Sequence, residues 1–258
     1  MFDVAQITPM HWVLLMVAAF IQGMSKGGVP GLTVMAIPLV AMVIPDKTST
    51  GLVLPMLVVG DLFALFYWRR SVSVRDLLRA LPWAVVGVVI GWRMLDRIKG
   101  DQMRPIVGVV VLFVLALQIV RKIRTRSGQA EPAEKTAGNP VMRHLYAAFM
   151  GSLGGVTTML ANAAGPVIGA YLLSLRLNKA TFLGTSAWFF FIVNWIKVPF
   201  MVQQKMITVD SLGVNLRMIP ALIAGVAAGI VVARRVNQKT FEWLVIILAG
   251  LASLKLLF

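Results

Sequence analysis

The chain has 258 residues, 59% of them hydrophobic and 14% charged, with a mean hydropathy of +0.83. A soluble domain carries about a quarter charged residues. Here apolar runs recur from end to end, which makes lipid the solvent for most of the surface and excludes a soluble enzyme, a secreted disulfide scaffold and a disordered chain. The 25 Lys and Arg against 10 Asp and Glu give a formal +15, which basic topology-setting loops explain, so no nucleic-acid partner is expected. The absence of cysteine removes thiol chemistry and thiolate metal sites.

Met1 to Met10 holds Asp3 and no basic residue, so no positively charged leader precedes the first apolar run, and that run is expected to stay in the protein. The apolar segments in chain order are 10–25, 29–44, 51–68, 79–96, 104–120, 144–160, 163–176, 182–201, 213–233 and 240–258. Eighteen helical residues reach about 27 Å, enough for the hydrocarbon core. The pairs 10–25/29–44 and 144–160/163–176 are short and closely spaced. Each is either two tightly turned spans or one re-entrant hairpin, and both alternatives return the chain to its starting side.

That parity sorts the loop charges. One side collects Lys26, Arg69, Arg70, Arg75, Arg79, Arg121, Lys122, Arg124, Arg126, Lys135, Arg143, Arg176, Lys179, Arg234, Arg235 and Lys239. The other collects Lys47, Arg93, Arg97, Lys99, Arg104, Lys205 and Lys255. The richer side is expected to be cytoplasmic, with both termini outside. The basic then Gly/Pro/Ala-rich stretch 121–142 reads as a cytoplasmic linker between two halves, 1–120 and 143–258.

The halves are alike where they are least ordinary. Gly23, Gly27 and Pro38 recur as Gly151, Gly155 and Pro166; Asp46-Lys47 matches Asn178-Lys179; Gly51 and Asp61 match Gly184 and Asn194. The expected fold is therefore an all-α polytopic membrane protein of two inverted repeats, about five segments each, with broken or re-entrant short helices. Such repeats point to a transporter with a site near the membrane midplane.

The candidate site follows from the breaks. Gly23-Met24-Ser25-Lys26-Gly27-Gly28-Val29-Pro30-Gly31 stops a helix and supplies a lysine, a hydroxyl and backbone N–H groups, a set suited to an anion. Its glycines are also spaced by four, as on a small-residue packing face, a spacing repeated at Gly87/Gly91 and Gly225/Gly229. A packing face has no need of Lys26, so Ser25, Lys26, Gly27, Gly28 and Gly31 are candidate substrate ligands. In the second half Thr158, Asn162 and Gly165 take that place with hydroxyl and amide groups, although Thr157 and Thr158 could instead bond back to their own helix. Asp61, Asn194 and Lys197 lie inside spans and are candidates for gating or coupling, with Lys26–Asp61 pairing as one role. Arg93 and Arg217 are expected to snorkel, and His11 and His144 to be interfacial. No metal or cofactor is expected.

The stretch GMSKGGVPGLTVMAIPLVAMVIP with Leu54-Pro55 and Gly60-Asp61, and the stretch LANAAGPVIGAYLLSLRLNKATFLGTSAWFFFIVNWIKVP, resemble the two halves of the sulfite exporter TauE/SafE family. The resemblance implies an inner-membrane carrier for sulfur-containing anions such as sulfite and sulfonates, and no enzymatic activity. The expected function is a secondary transporter, in the export direction, of small sulfur oxyanions (sulfite, sulfoacetate or other organosulfonates), its partners being that anion and the lipid bilayer. With no Walker A pattern in the chain, a gradient is expected to drive it unless a partner ATPase is supplied. The alternatives are a non-transporting membrane subunit and an intramembrane enzyme. The latter lacks a second intramembrane aspartate or a histidine near Ser25 or Ser186. The sequence allows a homodimer but specifies no surface for one.

Overall fold

The computed structural model describes residues 7–30, 32–44, 48–95 and 140–241, with 243, 244 and 247 besides. Gly31, the 104–120 segment, the linker up to residue 139 and most of 240–258 lie outside the described residues. Within them the chain forms eight helices and no strand: α1 (Pro9–Gly27), α2 (Thr33–Val43), α3 (Thr48–Trp68), α4 (Val74–Leu95), α5 (Pro140–Ala161), α6 (Ala164–Ser174), α7 (Lys179–Gln203) and α8 (Val209–Arg235).

Local chemistry sets several boundaries. Thr8 caps α1 in a capping box with His11, with Pro9 in the first turn. The interfacial His11 thus has a structural task. Asn178 caps α7 through Thr181 N, and Thr208 with Ser211 boxes the start of α8. α1 stops at Gly28, whose φ of 148° a side chain would resist. α5 stops at Asn162, in the left-handed region at φ 53°, which asparagine tolerates.

The two short pairs turn out to be unequal hairpins. α1 and α5 have 19 and 22 residues, but their returning arms α2 and α6 have 11 each. Eleven residues rise about 16 Å, half the ~30 Å hydrocarbon core, so the returning arm cannot cross. Irregular backbone at that depth has to be covered by protein or face a cavity. Among the described residues, the helices long and apolar enough to cross a membrane are Ser49–Trp68 in α3 together with α4, α7 and α8.

Packing crosses between the halves: α1 lies on α8, α5 on α4, and α3 on α7. Gly23 meets the backbone of Leu222 to Val226, and Gly27 that of Val226 to Ile230, so α1 and α8 run parallel. Gly151 meets Ala80 and Trp83, and Gly155 meets Ala84 and Val88, so α5 and α4 do the same. Gly225, Gly229, Gly87 and Gly91 are the other faces of these contacts. Backbones approach this closely only where neither helix carries a side chain. Around the contacts sit two apolar clusters, one including Leu15, Leu52 and Leu222, the other Ala84, Met159 and Phe189. The outer faces expose Phe66, Trp195 and Leu216, a surface that lipid and not water accommodates.

The ends on the basic side are tied together. Ser73 N donates to Thr185 Oγ1 (2.9 Å), Arg143 reaches Asp76 (3.4 Å), and Lys179 Nζ donates to the Val236 carbonyl (2.5 Å). These loops, assigned to one side by their charge, share one end of the bundle.

Candidate substrate site

The two breaks face α3 and α7 across a small, partly open cavity. Ser25 and Lys26 come from the last turn of α1 and Thr33 from the start of α2. Asp61 comes from α3, Thr158 and Asn162 from the second break, and Gly165 from α6. Phe190 and Asn194, one turn apart, come from α7. Lys197, the next turn along, stands behind Thr158 and Asn162.

Two polar groupings meet there. Lys26 Nζ lies 2.5 Å from Asp61 Oδ1 and 4.5 Å from the centre of the Phe190 ring. Asp61 Oδ2 accepts from Asn194 Nδ2 at 2.7 Å. Lys197 Nζ donates to Asn162 Oδ1 (2.5 Å) and Thr158 Oγ1 (3.1 Å), and Asn162 Nδ2 donates to the Thr50 carbonyl (3.0 Å). Thr33 and Ser25 hydroxyls are bonded at 2.8 Å.

These partners dictate which groups are left for a ligand. An ammonium only donates, so Thr158 Oγ1 is an acceptor toward Lys197, and its own proton is free for the cavity. Of the Ser25–Thr33 pair, whichever way that bond runs, one hydroxyl proton also remains. An ionised carboxylate only accepts, so Asp61 turns the Asn194 amide nitrogen toward itself. Asn194 Oδ1 is then buried with no partner among the described residues.

The charges are unequally matched. Lys26 and Asp61 are 9% and 0% exposed and neutralise each other. Lys197 is 0% exposed, and its partners among the described residues are a hydroxyl and an amide. A buried cation without a carboxylate costs several kcal/mol, or about 3 kcal/mol on membrane-insertion scales. Such a charge is compensated when an anion approaches.

Of the residues singled out in the sequence, Ser25, Lys26, Asp61, Thr158, Asn162, Gly165 and Asn194 line the one cavity, with Lys197 directly behind its wall. Gly27 and Gly28 sit elsewhere. Gly27 backs onto α8 and its carbonyl accepts from Trp68 Nε1 (3.0 Å), while Gly28 N and Val29 N are both taken by the Met24 carbonyl. The packing reading of this motif therefore holds for Gly23 and Gly27 on the face turned to α8, while Ser25 and Lys26 of the same motif line the cavity. Thr157 bonds back to the Leu153 and Gly154 carbonyls, as a membrane threonine can, whereas Thr158 does not. Arg217 and Arg93 stack on Trp12 and Trp92 rings at 5.2 and 5.0 Å. Thr33 and Phe190 were not anticipated. Phe190 was legible only as the residue one turn before Asn194, and Thr33 only as the hydroxyl closest after the first break.

No curated protein and no solved structure matches the chain. The model of the family described as "Sulfite exporter TauE/SafE" matches residues 14–256, nearly the whole length, and it does so over both breaks and every cavity residue named above. The chain belongs to the sulfite exporter TauE/SafE family, a family of membrane transporters.

Proposed function

We propose that the protein is a gradient-driven exporter of small sulfur-containing oxyanions, sulfite and organosulfonates among them, working in the inner membrane with both termini outside. The observation that carries this reading is the meeting of two broken helices on a cavity whose wall presents Lys26 and free hydroxyl protons, backed by the unmatched charge of Lys197. Preorganised donors around an excess positive charge are what an oxyanion requires. Ser25, Lys26, Thr158 and Asn162 would hold the anion, and Asp61, Asn194 and Lys197 would tune or gate the cavity.

An inverted repeat of α1–α4 and α5–α8 supports alternating access. Its supports are the 11-residue returning arms, the reciprocal α1–α8 and α5–α4 contacts, and the bond between Asp61 and Asn194, which are equivalent positions of the two halves. The test is counterflow in proteoliposomes loaded with sulfite, methanesulfonate, sulfoacetate, taurine or sulfate. Wild-type protein exchanges at least one of them, and Lys26→Ala abolishes that exchange. Unchanged affinity and transport in Lys26→Ala overturns the site. Absence of any exchange by the purified protein favours the accessory-subunit reading instead.

A further inference from the structure

The buried centre can be read for the charge of its cargo. Among the described residues the formal charges facing it are Lys26 from α1, Asp61 from α3 and Lys197 from α7. The described parts of α2, α5 and α6 that reach it contribute Thr33, Thr158, Asn162 and Gly165, all neutral. The sum is one positive charge, and it resides on Lys197, since Lys26 is already matched by Asp61. From this count we infer that the site selects monovalent oxyanions over divalent ones, and that Asp61 sets this selectivity by cancelling Lys26. The inference rests on the reading of the cavity as an anion site and deepens it.

A monovalent anion brings the buried centre to neutrality. A divalent anion leaves one negative charge without a counter-ion beside groups that are themselves buried, where unpaired charge is costly. The second negative charge would also face Asp61, which is fully buried and cannot turn away. Lys197 acts one layer back. By donating to Thr158 Oγ1 it leaves that hydroxyl's own proton free to donate to an anion in the cavity that Thr158 lines. Among candidate cargoes, a simple sulfonate or hydrogensulfite fits this count. Sulfoacetate, with a carboxylate besides its sulfonate, and sulfate do not.

Methanesulfonate and sulfate make a clean pair, since they differ by a methyl for an oxygen and are close in size. Counterflow of each, and of sulfoacetate, is measured in proteoliposomes with wild-type protein, Asp61→Asn and Lys197→Gln. Asparagine keeps a hydrogen-bonding partner for Asn194 while removing the charge. Wild type is expected to exchange methanesulfonate at least about tenfold faster than either dianion, and Asp61→Asn to lower that ratio about tenfold. Lys197→Gln is expected to reduce methanesulfonate exchange about tenfold or more, an arm that stands if the Asp61 variant does not fold. Equal or faster dianion exchange by wild type overturns the inference, as does a ratio unchanged in Asp61→Asn or full exchange by Lys197→Gln. Each of those leaves the transporter reading standing. Exchange of no anion at all removes that reading, and the inference with it.

Discussion

Removing Lys26 tests whether the centre is held by its ion pair. At 2.5 Å and an effective dielectric of about 20, the gross attraction between Lys26 and Asp61 is about 7 kcal/mol, most of it offset by the loss of hydration. Breaking such a pair from one side costs about 3–5 kcal/mol because the remaining charge stays buried. The two sides are not equivalent. Lys26, 9% exposed on a long stem, can swing into the cavity when Asp61 is lost, whereas Asp61, 0% exposed, keeps only the Asn194 hydrogen bond among the described residues when Lys26 is lost. Lys26→Ala is therefore expected to destabilise more than Asp61→Ala. At about 2–4 °C per kcal/mol for a chain of this size, Lys26→Ala should lower the melting temperature in detergent by about 10 °C. Combining the two substitutions removes both charges and should recover more than half of that loss. Thermal unfolding of the four proteins followed by intrinsic fluorescence or light scattering checks the cycle. A Lys26→Ala protein melting within about 2 °C of wild type, or a double variant as unstable as the sum of the singles, would refute the argument that these charges depend on each other.

Three further outcomes follow from the packing and the topology. Gly225→Ala places a Cβ against the Phe20 carbonyl and 3.0 Å from Met24 N, so α1 and α8 must part at a cost of about 1–3 kcal/mol. Gly213→Ala on the same helix, exposed and with nothing within 4 Å, should leave the melting temperature unchanged or raise it by helix propensity worth up to about 1 kcal/mol. Trp68→Phe keeps an aromatic ring but removes the pyrrole N–H, leaving the Gly27 carbonyl without its donor. It should cost about 1 kcal/mol in the same assay and lower transport by loosening the first break. Because the chain has no cysteine, single replacements report sidedness directly. With an impermeant thiol reagent on intact cells, Lys205→Cys should label, while Arg70→Cys and Lys239→Cys should be protected until the membrane is opened; the reverse pattern overturns the assigned orientation.

Much of this organisation was legible in one dimension because the bilayer imposes strong and simple rules. A helix that crosses lipid has to be long and apolar, and Pro, Gly and the capping residues Asn178 and Thr208 mark where helices begin and stop. Asp61 declared itself by being charged inside an apolar run, and Lys26 by standing in the break between two. The breaks at Gly28 and Asn162 carried most of the remaining signal, together with the recurrence of Asp61 as Asn194. What local pattern could not determine is which face of a helix meets which neighbour, since glycines spaced by four look the same whether they bind a ligand or admit another backbone. Only the folded chain shows Gly23 and Gly27 turned to α8 while Lys26, on the same helix, turns to Asp61. Likewise only tertiary structure sets Lys197 behind Thr158 and Asn162, residues some 35 to 39 positions away, with no carboxylate bonded to it among the described residues. Length and hydropathy determine that this chain lives in lipid and where it breaks. The balance of charge at its centre is decided by long-range packing, because a buried charge depends on the neighbours the fold brings to it.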